Sequence, residues 1–465
     1  MKILLTHAYY LNEDPKELQI MKPYVPLGIL YISAFLEEHS FPNSVFDATF
    51  SDFTTHSEAL IQQQPDVVAI YTNLMTKLNV LRLIRFIKNE KSLSHTKVIL
   101  GGPEVKHHAD NFILHGADFV VVGEGEETML ELITAIANNN TDYKAINGLV
   151  ISENGTSHIT TPRNNIRDIN TLPFPARKKV DLQRYFDAWK GRHGESAISV
   201  STMRGCPYTC KWCSRAVYGQ SYRRRNPALV VKELQSLKEN YNFDTIWFVD
   251  DVFTISHKWL SEFNEELKKV NLKVKYECIT RADRMNEEVL QLLKESGCYR
   301  VWIGAESGSQ KIIDAMDRRV DVQQVREMIR KSKNFGIQSG TFIMIGYPGE
   351  TEADLVETLH HLKSSNPDYY TITVAYPIKG TPLYIETEPD FTVKPAWEEG
   401  SDRQIDFKRN YPRKYYDYAI RWIYNEVALH KNQTNNGSFL ITAKHTLKAA
   451  AARGAMTLVR MTNQG

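Results

Sequence analysis

The chain has 465 residues and only five cysteines, too few to brace a molecule of this size with disulfides. It has no run of eighteen or more apolar residues, which excludes an ordinary membrane-spanning helix. It also has no excess of either charge. Lys and Arg number 57 against 55 Asp and Glu, a formal charge of +2, so bulk electrostatics demands neither nucleic acid nor an anionic membrane surface. The N-terminus, Met1-Lys2-Ile3-Leu4-Leu5-Thr6-His7, enters a short apolar strand at once. It lacks the longer apolar stretch and small-residue cleavage site of a signal peptide, and a cytoplasmic protein is expected. No repeat of solenoid length occurs.

What is present is alternation. Short apolar runs at Lys2–Thr6, Asp66–Tyr71, Lys97–Leu100 and Phe119–Val122 alternate with helical periodicity at Leu27–Glu38, Leu78–Lys88 and Glu126–Ala137. Buried strands alternating with helices predict an α/β domain with a doubly wound, flavodoxin-like parallel sheet over residues 1–144. At the ends of these strands stand Thr72-Asn73, Gly101-Gly102-Pro103 and Gly123-Glu124-Gly125-Glu126. Ligands of open α/β sheets lie beyond the carboxyl ends of the strands, where glycine admits a flat ligand to the backbone. Tight turns alone account for these glycines equally well.

Residues 145–190 read as a linker, with a hairpin turn at Asn154-Gly155 and an extended Leu172-Pro173-Phe174-Pro175. A second alternation fills residues 191–388. Its strands are expected at Ala197–Thr202, Thr245–Val249, Lys273–Thr280, Arg300–Gly304, Gly340–Ile345 and Tyr370–Ala375. Six strand–helix units predict a partial (β/α)6 barrel with its chemistry at the carboxyl ends of the strands. Residues 389–465 are expected to be helical.

The first of these strands runs into Arg204-Gly205-Cys206-Pro207-Tyr208-Thr209-Cys210-Lys211-Trp212-Cys213. Three thiolates on one short loop can hold three irons of a four-iron cluster, which normally takes four protein ligands. The fourth iron is then open to an exogenous chelate such as the amino and carboxylate groups of a methionyl moiety. An electron from the cluster can break the adjacent sulfonium bond and release a carbon radical. A structural zinc site would need a fourth Cys or His nearby, and none follows at ordinary spacing. Cys278 and Cys298 lie outside the motif and read as small buried hydrophobes.

This Cys-x-x-x-Cys-x-aromatic-Cys arrangement at the end of the first barrel strand resembles the radical S-adenosylmethionine superfamily, over about Ser196 to Tyr384. The resemblance implies a 4Fe-4S cluster on Cys206, Cys210 and Cys213. It also implies an S-adenosylmethionine site from Trp212, Asp250, Asp251, Arg281, Glu306, Ser307, Gly346 and Tyr376, which fall at successive strand ends. With the barrel so identified, the first domain resembles the cobalamin-binding domain of one branch of that superfamily. Cobalamin contacts are then expected at Thr72, Asn73, Gly101, Gly102, Pro103, Gly123, Glu124, Gly125 and Glu126. The Asp-x-His-x-x-Gly signature of many cobalamin domains is absent: Leu11 to Val25 contains no histidine, so cobalt is not expected to take one from that loop. His7, His107 and His108 are expected to be solvated or hydrogen-bonded.

The resemblance implies a methyltransferase acting on carbon or phosphorus of a small-molecule or lipid precursor, served by an electron donor such as flavodoxin or ferredoxin. An oxidative cyclase resembling the anaerobic magnesium-protoporphyrin monoester cyclase is the alternative, and a cobalamin or redox sensor a more distant one. A methylthiolating enzyme of transfer RNA would bring cysteines for an auxiliary cluster, and no cysteine precedes Cys206.

Overall fold

The computed structural model describes residues 1–153 and 156–462, so the turn expected at Asn154-Gly155 lies outside the described residues. Two compact units are present. The first comprises Met1–Pro207, Ser214–Trp247 and Pro395–Ser401; the second comprises Tyr208–Cys213, Phe248–Lys394 and Asp402–Gly465.

In the first unit, Ile3–His7 (β1), Ser44–Phe46 (β2), Val67–Tyr71 (β3), Lys97–Gly101 (β4), Phe119–Val121 (β5), Leu149–Glu153 (β6) and Thr156–Ile159 (β7) form one sheet in the order β2-β1-β3-β4-β5-β6-β7. The pairings from β2 through β5 are parallel. The hairpin expected within the linker instead extends this sheet, with β6 antiparallel to β5 and β7 antiparallel to β6. Alternation puts the two faces of the sheet into separate cores. Leu4, Val68, Val98 and Val120 face one; Ile3, Leu5, Val67, Ala69 and Ile99 face the other. The strand β2 escapes the sequence pattern because its three residues show no alternation long enough to register.

Helix Leu27–Glu38 forms over the residues its periodicity marks, and Lys77–Asn89 exceeds its expected span by one residue at each end. Later in this unit Ala197–Val200 (β8) neighbours Thr245–Phe248 (β11), while Met203–Arg204 (β9) and Arg223–Arg224 (β10) make a short antiparallel ribbon.

The second unit is built on Tyr276–Thr280 (β12), Cys298–Glu306 (β13), Gln338–Ile345 (β14) and Tyr369–Val374 (β15), all parallel and adjacent in chain order. Helices Glu287–Glu295, Val322–Asn334 and Glu352–Ser365 separate them. The strands make an open sheet of the α/β class. Helices Arg413–Thr434 and Phe439–Thr462 supply the expected helical C-terminal region.

Candidate functional site

In the first unit the expected cofactor-contacting loops stand together at the carboxyl ends of β3, β4 and β5. Thr72 is buried, takes the Gly101 carbonyl through its N–H at 2.7 Å and accepts the Glu104 N–H. Asn73 caps the following turn, its side-chain oxygen accepting from the N–H groups of Met75 and Thr76. Gly102 has φ +109°, and a Cβ there would lie 2.4 Å from the Thr72 carbonyl oxygen. Only glycine fits. Beside it, a Cβ on Gly101 or Gly123 would meet nothing nearer than 4.0 and 3.9 Å respectively. Contacts at these distances are ordinary van der Waals ones, so the backbone at both positions is uncrowded and admits the close approach that a corrin would need. Pro103 is half-buried.

Glu124 and Glu126 have another occupation. Arg204 donates to Glu124 at 2.8 Å and forms a short pair with Glu126; Arg223 reaches the other oxygen of Glu124 at 2.6 Å, and the Ile166 N–H donates to it at 2.7 Å. All four side chains are buried or nearly so. Burial alone would discharge Arg204, but the carboxylate of Glu126 and its partners outweigh that cost and hold the guanidinium charged well above its ordinary range. Arg204 and Arg223 face each other in the β9–β10 ribbon, and that ribbon brackets Gly205-Cys206. Gly205 has φ +84°, and a Cβ there would sit 2.7 Å from the Ser221 carbonyl oxygen. The entry to the cysteine loop is therefore fixed by ion pairs and by a glycine turn. The sequence pattern did not mark Arg204 or Arg223, because their carboxylate partners lie 78 to 99 residues away.

A second buried network lies at the ends of β1 and β2. His7 bonds Asp47 at 3.0 Å, Tyr185 donates to the other Asp47 oxygen at 2.8 Å, and His56 lies between Thr6 and Tyr10. Burial, with His7 nearby, pushes His56 down to about 3, so it stays neutral. His7 is hydrogen-bonded as expected. His108 is buried with a ring nitrogen 3.8 Å from Glu104.

In the second unit, Cys210 is buried and Cys213 half-buried; in the first, Cys206 is half-buried. Two guanidinium groups reach Cys210 Sγ: Arg318 at 3.7 Å and Arg281 at 3.9 Å. Donors so placed can hydrogen-bond a sulfur that ligates iron. Among the described residues, no three Cys, His, Asp or Glu side chains converge as they would around one ion. Thiolates that each bind a different iron of a cluster need no such convergence. Three thiolates of one short loop are the donor chemistry of a four-iron cluster with one iron left open.

The backbone of Lys211 is tied on both sides, its N–H to Met316 and its carbonyl to the N–H of Leu383. Trp212 packs against the cluster of Ile312, Met316, Tyr347, Ala375 and Leu383. The loop carrying two of the cysteines thereby rests on the same residues that flank Gly346 and Tyr376.

Arg281 is almost wholly buried. It donates to Asp283 and to the carbonyls of Arg318 and Arg319, and it stacks 3.6 Å from the centre of the Tyr208 ring. Glu306 occupies a bulge in β13 and has φ +64°, a left-handed conformation that is uncommon for a residue with a side chain. Its carboxylate lies 3.9 Å from Arg318. Burial raises its pKa, opposed by Arg318 and Arg281. A Cβ on Gly304 would meet Arg318 at 2.5 Å and Glu306 at 2.7 Å, so this glycine makes room for the pair. Strain and a desolvated carboxylate on one bulge are a mark of a functional position.

Ser307 is buried, with its hydroxyl 3.2 Å from that of Thr358 and accepting the Ser309 N–H. Asp250 is buried and Asp251 exposed, just after β11. Gly346 is held at φ +74°. Its carbonyl and that of Ala375 both accept from Arg409, which clamps the ends of β14 and β15. In the second unit, Arg318 and Arg409 are the candidate-site residues that sequence reasoning missed. Neither stands at a strand end or in a motif.

Comparison with known proteins gives two family matches: residues 20–133 match the B12 binding domain and residues 200–362 the Radical SAM superfamily. An uncharacterized methyltransferase of Pyrococcus horikoshii is 30% identical over 367 residues, 77% of this chain and 77% of its own length. An anaerobic magnesium-protoporphyrin IX monomethyl ester cyclase of Rubrivivax gelatinosus is 26% identical over 384 residues, 79% of this chain and 66% of its own. Among solved structures, the radical S-adenosylmethionine methyltransferase TsrM of Kitasatospora setae, with cobalamin and a 4Fe-4S cluster bound, superposes with a TM-score of 0.73. It is 16% identical, and all of both chains is covered. The cobalamin-dependent S-adenosylmethionine radical enzyme OxsB gives a TM-score of 0.74 at 17% identity, over 98% of this chain and 72% of that one. At these identities the two structures establish the fold.

Proposed function

The chain belongs to the radical S-adenosylmethionine superfamily and carries a B12 binding domain, and from that membership we propose that it is a methyltransferase for an unactivated carbon or phosphorus centre of a small-molecule or lipid precursor. A 4Fe-4S cluster, S-adenosylmethionine and cobalamin are the cofactors of this enzyme class, and bound together they supply a radical and a transferable methyl group. Cys206, Cys210 and Cys213 would hold the cluster. Arg281 and Arg318 offset the negative charge that collects at Cys210. Glu306, beside Arg318, offers a carboxylate to an amine or a ribose hydroxyl. Gly346 and Ala375, fixed by Arg409, present a shaped backbone edge, and Tyr376, Trp212, Ser307 and the pair Asp250–Asp251 complete the proposed S-adenosylmethionine contacts. Gly101, Gly102 and Gly123 would border cobalamin, with Thr72, Asn73 and Pro103 around them. Gly125 and the ion-paired Glu124 and Glu126 shape that loop.

The observation that carries this reading is the succession of both family matches in one chain whose similar, 30% identical relative is named a methyltransferase. The cyclase-named relative supports ring closure as a second reading. Feeding methyl-labelled S-adenosylmethionine to reconstituted protein with extract from a deletion strain tests the two. Label is expected in a compound that accumulates one methyl short in that strain. A product that is oxidatively ring-closed and unlabelled would replace the methyltransferase reading with the cyclase one.

A further inference from the structure

Helix Phe439–Thr462 has two apolar faces and the second unit uses only one. Ala449, Ala452 and Met456 are buried. On the opposite side Leu440 is 77% exposed, Leu447 72%, Leu458 65% and Met461 62%. At 3.6 residues per turn, Leu440, Leu447, Ala451, Gly454, Leu458 and Met461 fall within roughly 80° of arc, a continuous stripe along the whole helix. Its rotation about its own axis is fixed. Arg453 and Arg460 both pair with Glu352, Arg453 also lies over the Trp422 ring, and Asn432 and Asn425 of the preceding helix bond Thr442 and His445. With the inner face locked, the leucine stripe has to face outward.

The charge on this helix is of one sign. It contains Lys444, Lys448, Arg453 and Arg460, and between Phe439 and Thr462 there is no Asp or Glu. Arg453 and Arg460 are spent inward on Glu352. Lys444 and Lys448 remain exposed along one edge of the apolar stripe.

We propose that the outer face of helix Phe439–Thr462 docks on the surface of an anionic lipid bilayer, the leucines entering the acyl boundary and Lys444 and Lys448 meeting the headgroup charge. A helix with an apolar face edged by lysine lies in the interface plane rather than across it. No helix of the described residues is long and apolar enough to cross a membrane, which suits surface attachment. A second copy of this chain fits the stripe less well. Self-pairing helices balance their flanking charges with opposite ones, and this helix has no carboxylate to set against Lys444 and Lys448. The inference is independent of what the enzyme methylates.

Vesicle sedimentation of the reconstituted holoprotein provides the test. It is expected to bind vesicles of phosphatidylglycerol and phosphatidylethanolamine well and vesicles of phosphatidylcholine weakly. Binding to the former should decline as salt shortens the range of the lysine attraction. Leu447→Gln with Leu458→Gln, and separately Lys444→Gln with Lys448→Gln, should each weaken it roughly tenfold or more. Both pairs are solvent-facing, and retained cluster absorbance in the lysine variant keeps the test valid if the leucine variant folds poorly. Failure of the parent protein to bind anionic vesicles overturns the proposal. So does binding unchanged in both double variants. A dimer, seen by light scattering, that the leucine variant breaks while vesicles remain unbound would assign the stripe to a second copy instead.

Discussion

Arg318 illustrates how much one side chain can decide. Its guanidinium serves Cys210 Sγ, the Gly304 carbonyl and the Glu306 carboxylate together, from a buried position. Donors to a ligand sulfur stabilise the reduced, more negative cluster and raise its potential. Arg318→Gln is therefore expected to make the cluster harder to reduce, by on the order of 50 mV, close to a tenfold change for a one-electron couple. Redox titration followed by paramagnetic resonance measures this; an unmoved potential would leave Arg318 only its structural pair with Glu306. Arg204 makes the companion case in the first unit. Replacing it with Gln strands Glu126 and half of Glu124 without their buried cation, a loss of about 3–5 kcal/mol for such pairs. The thermal midpoint of the apoprotein should fall by several degrees. An equal loss in Lys88→Gln, which removes a more exposed pair with Asp118, would show that burial is not the reason.

Among the elements, the turn after β14 stores an acid in an unfavourable place. Glu350 is buried, one oxygen accepts the Gly346 N–H at 2.5 Å, and the other finds no partner among the described residues. Burial raises its pKa to about 8. In the unfolded chain it would titrate near the ordinary glutamate value of about 4.3. Between those two values the folded state binds more protons than the unfolded one. Stability contributed by this group is thus present below the unfolded pKa and declines as pH rises toward 8, by at most about 1.4 kcal/mol per pH unit. Glu350→Gln keeps an oxygen for Gly346 and should flatten the decline, becoming more stable than the parent at pH near 8 in denaturant titrations. A steeper loss in the variant would contradict the buried neutral acid. The bulge of β13 is the other element under strain. Glu306 in a left-handed conformation survives because Gly304 cedes the space and Arg318 supplies the charge.

Across the whole molecule, the uncrowded backbone at Gly101 and Gly123 sits at the strand ends where the sheet would receive cobalamin. His7 is engaged by Asp47, His56 is buried between Thr6 and Tyr10, and Leu11 to Val25 has no histidine. Co(II)cobalamin bound to the protein should consequently show no nitrogen splitting from a protein histidine in its paramagnetic resonance spectrum. Splitting that disappears in His107→Ala or His108→Ala would assign the ligand there.

Sequence by itself determined the α/β class, the order of the strands and helices long enough to show a period, the cysteine loop and the glycine turns. These are local: periodicity of two or 3.6, and φ preferences of single residues, are written in short windows. It also placed Glu306, Gly346 and Tyr376 at or just beyond strand ends, because a strand end is a local feature. Tertiary structure alone decided that Glu124 and Glu126 are engaged by Arg204, that Arg318 reaches a cysteine 108 residues away, and that Arg409 clamps two strand ends. It alone left one face of the last helix apolar and uncovered. A buried charge takes whichever opposite charge the fold brings near, since an unpaired one is too costly to keep. Separation along the chain has no bearing on that choice, so no short window of sequence can display it.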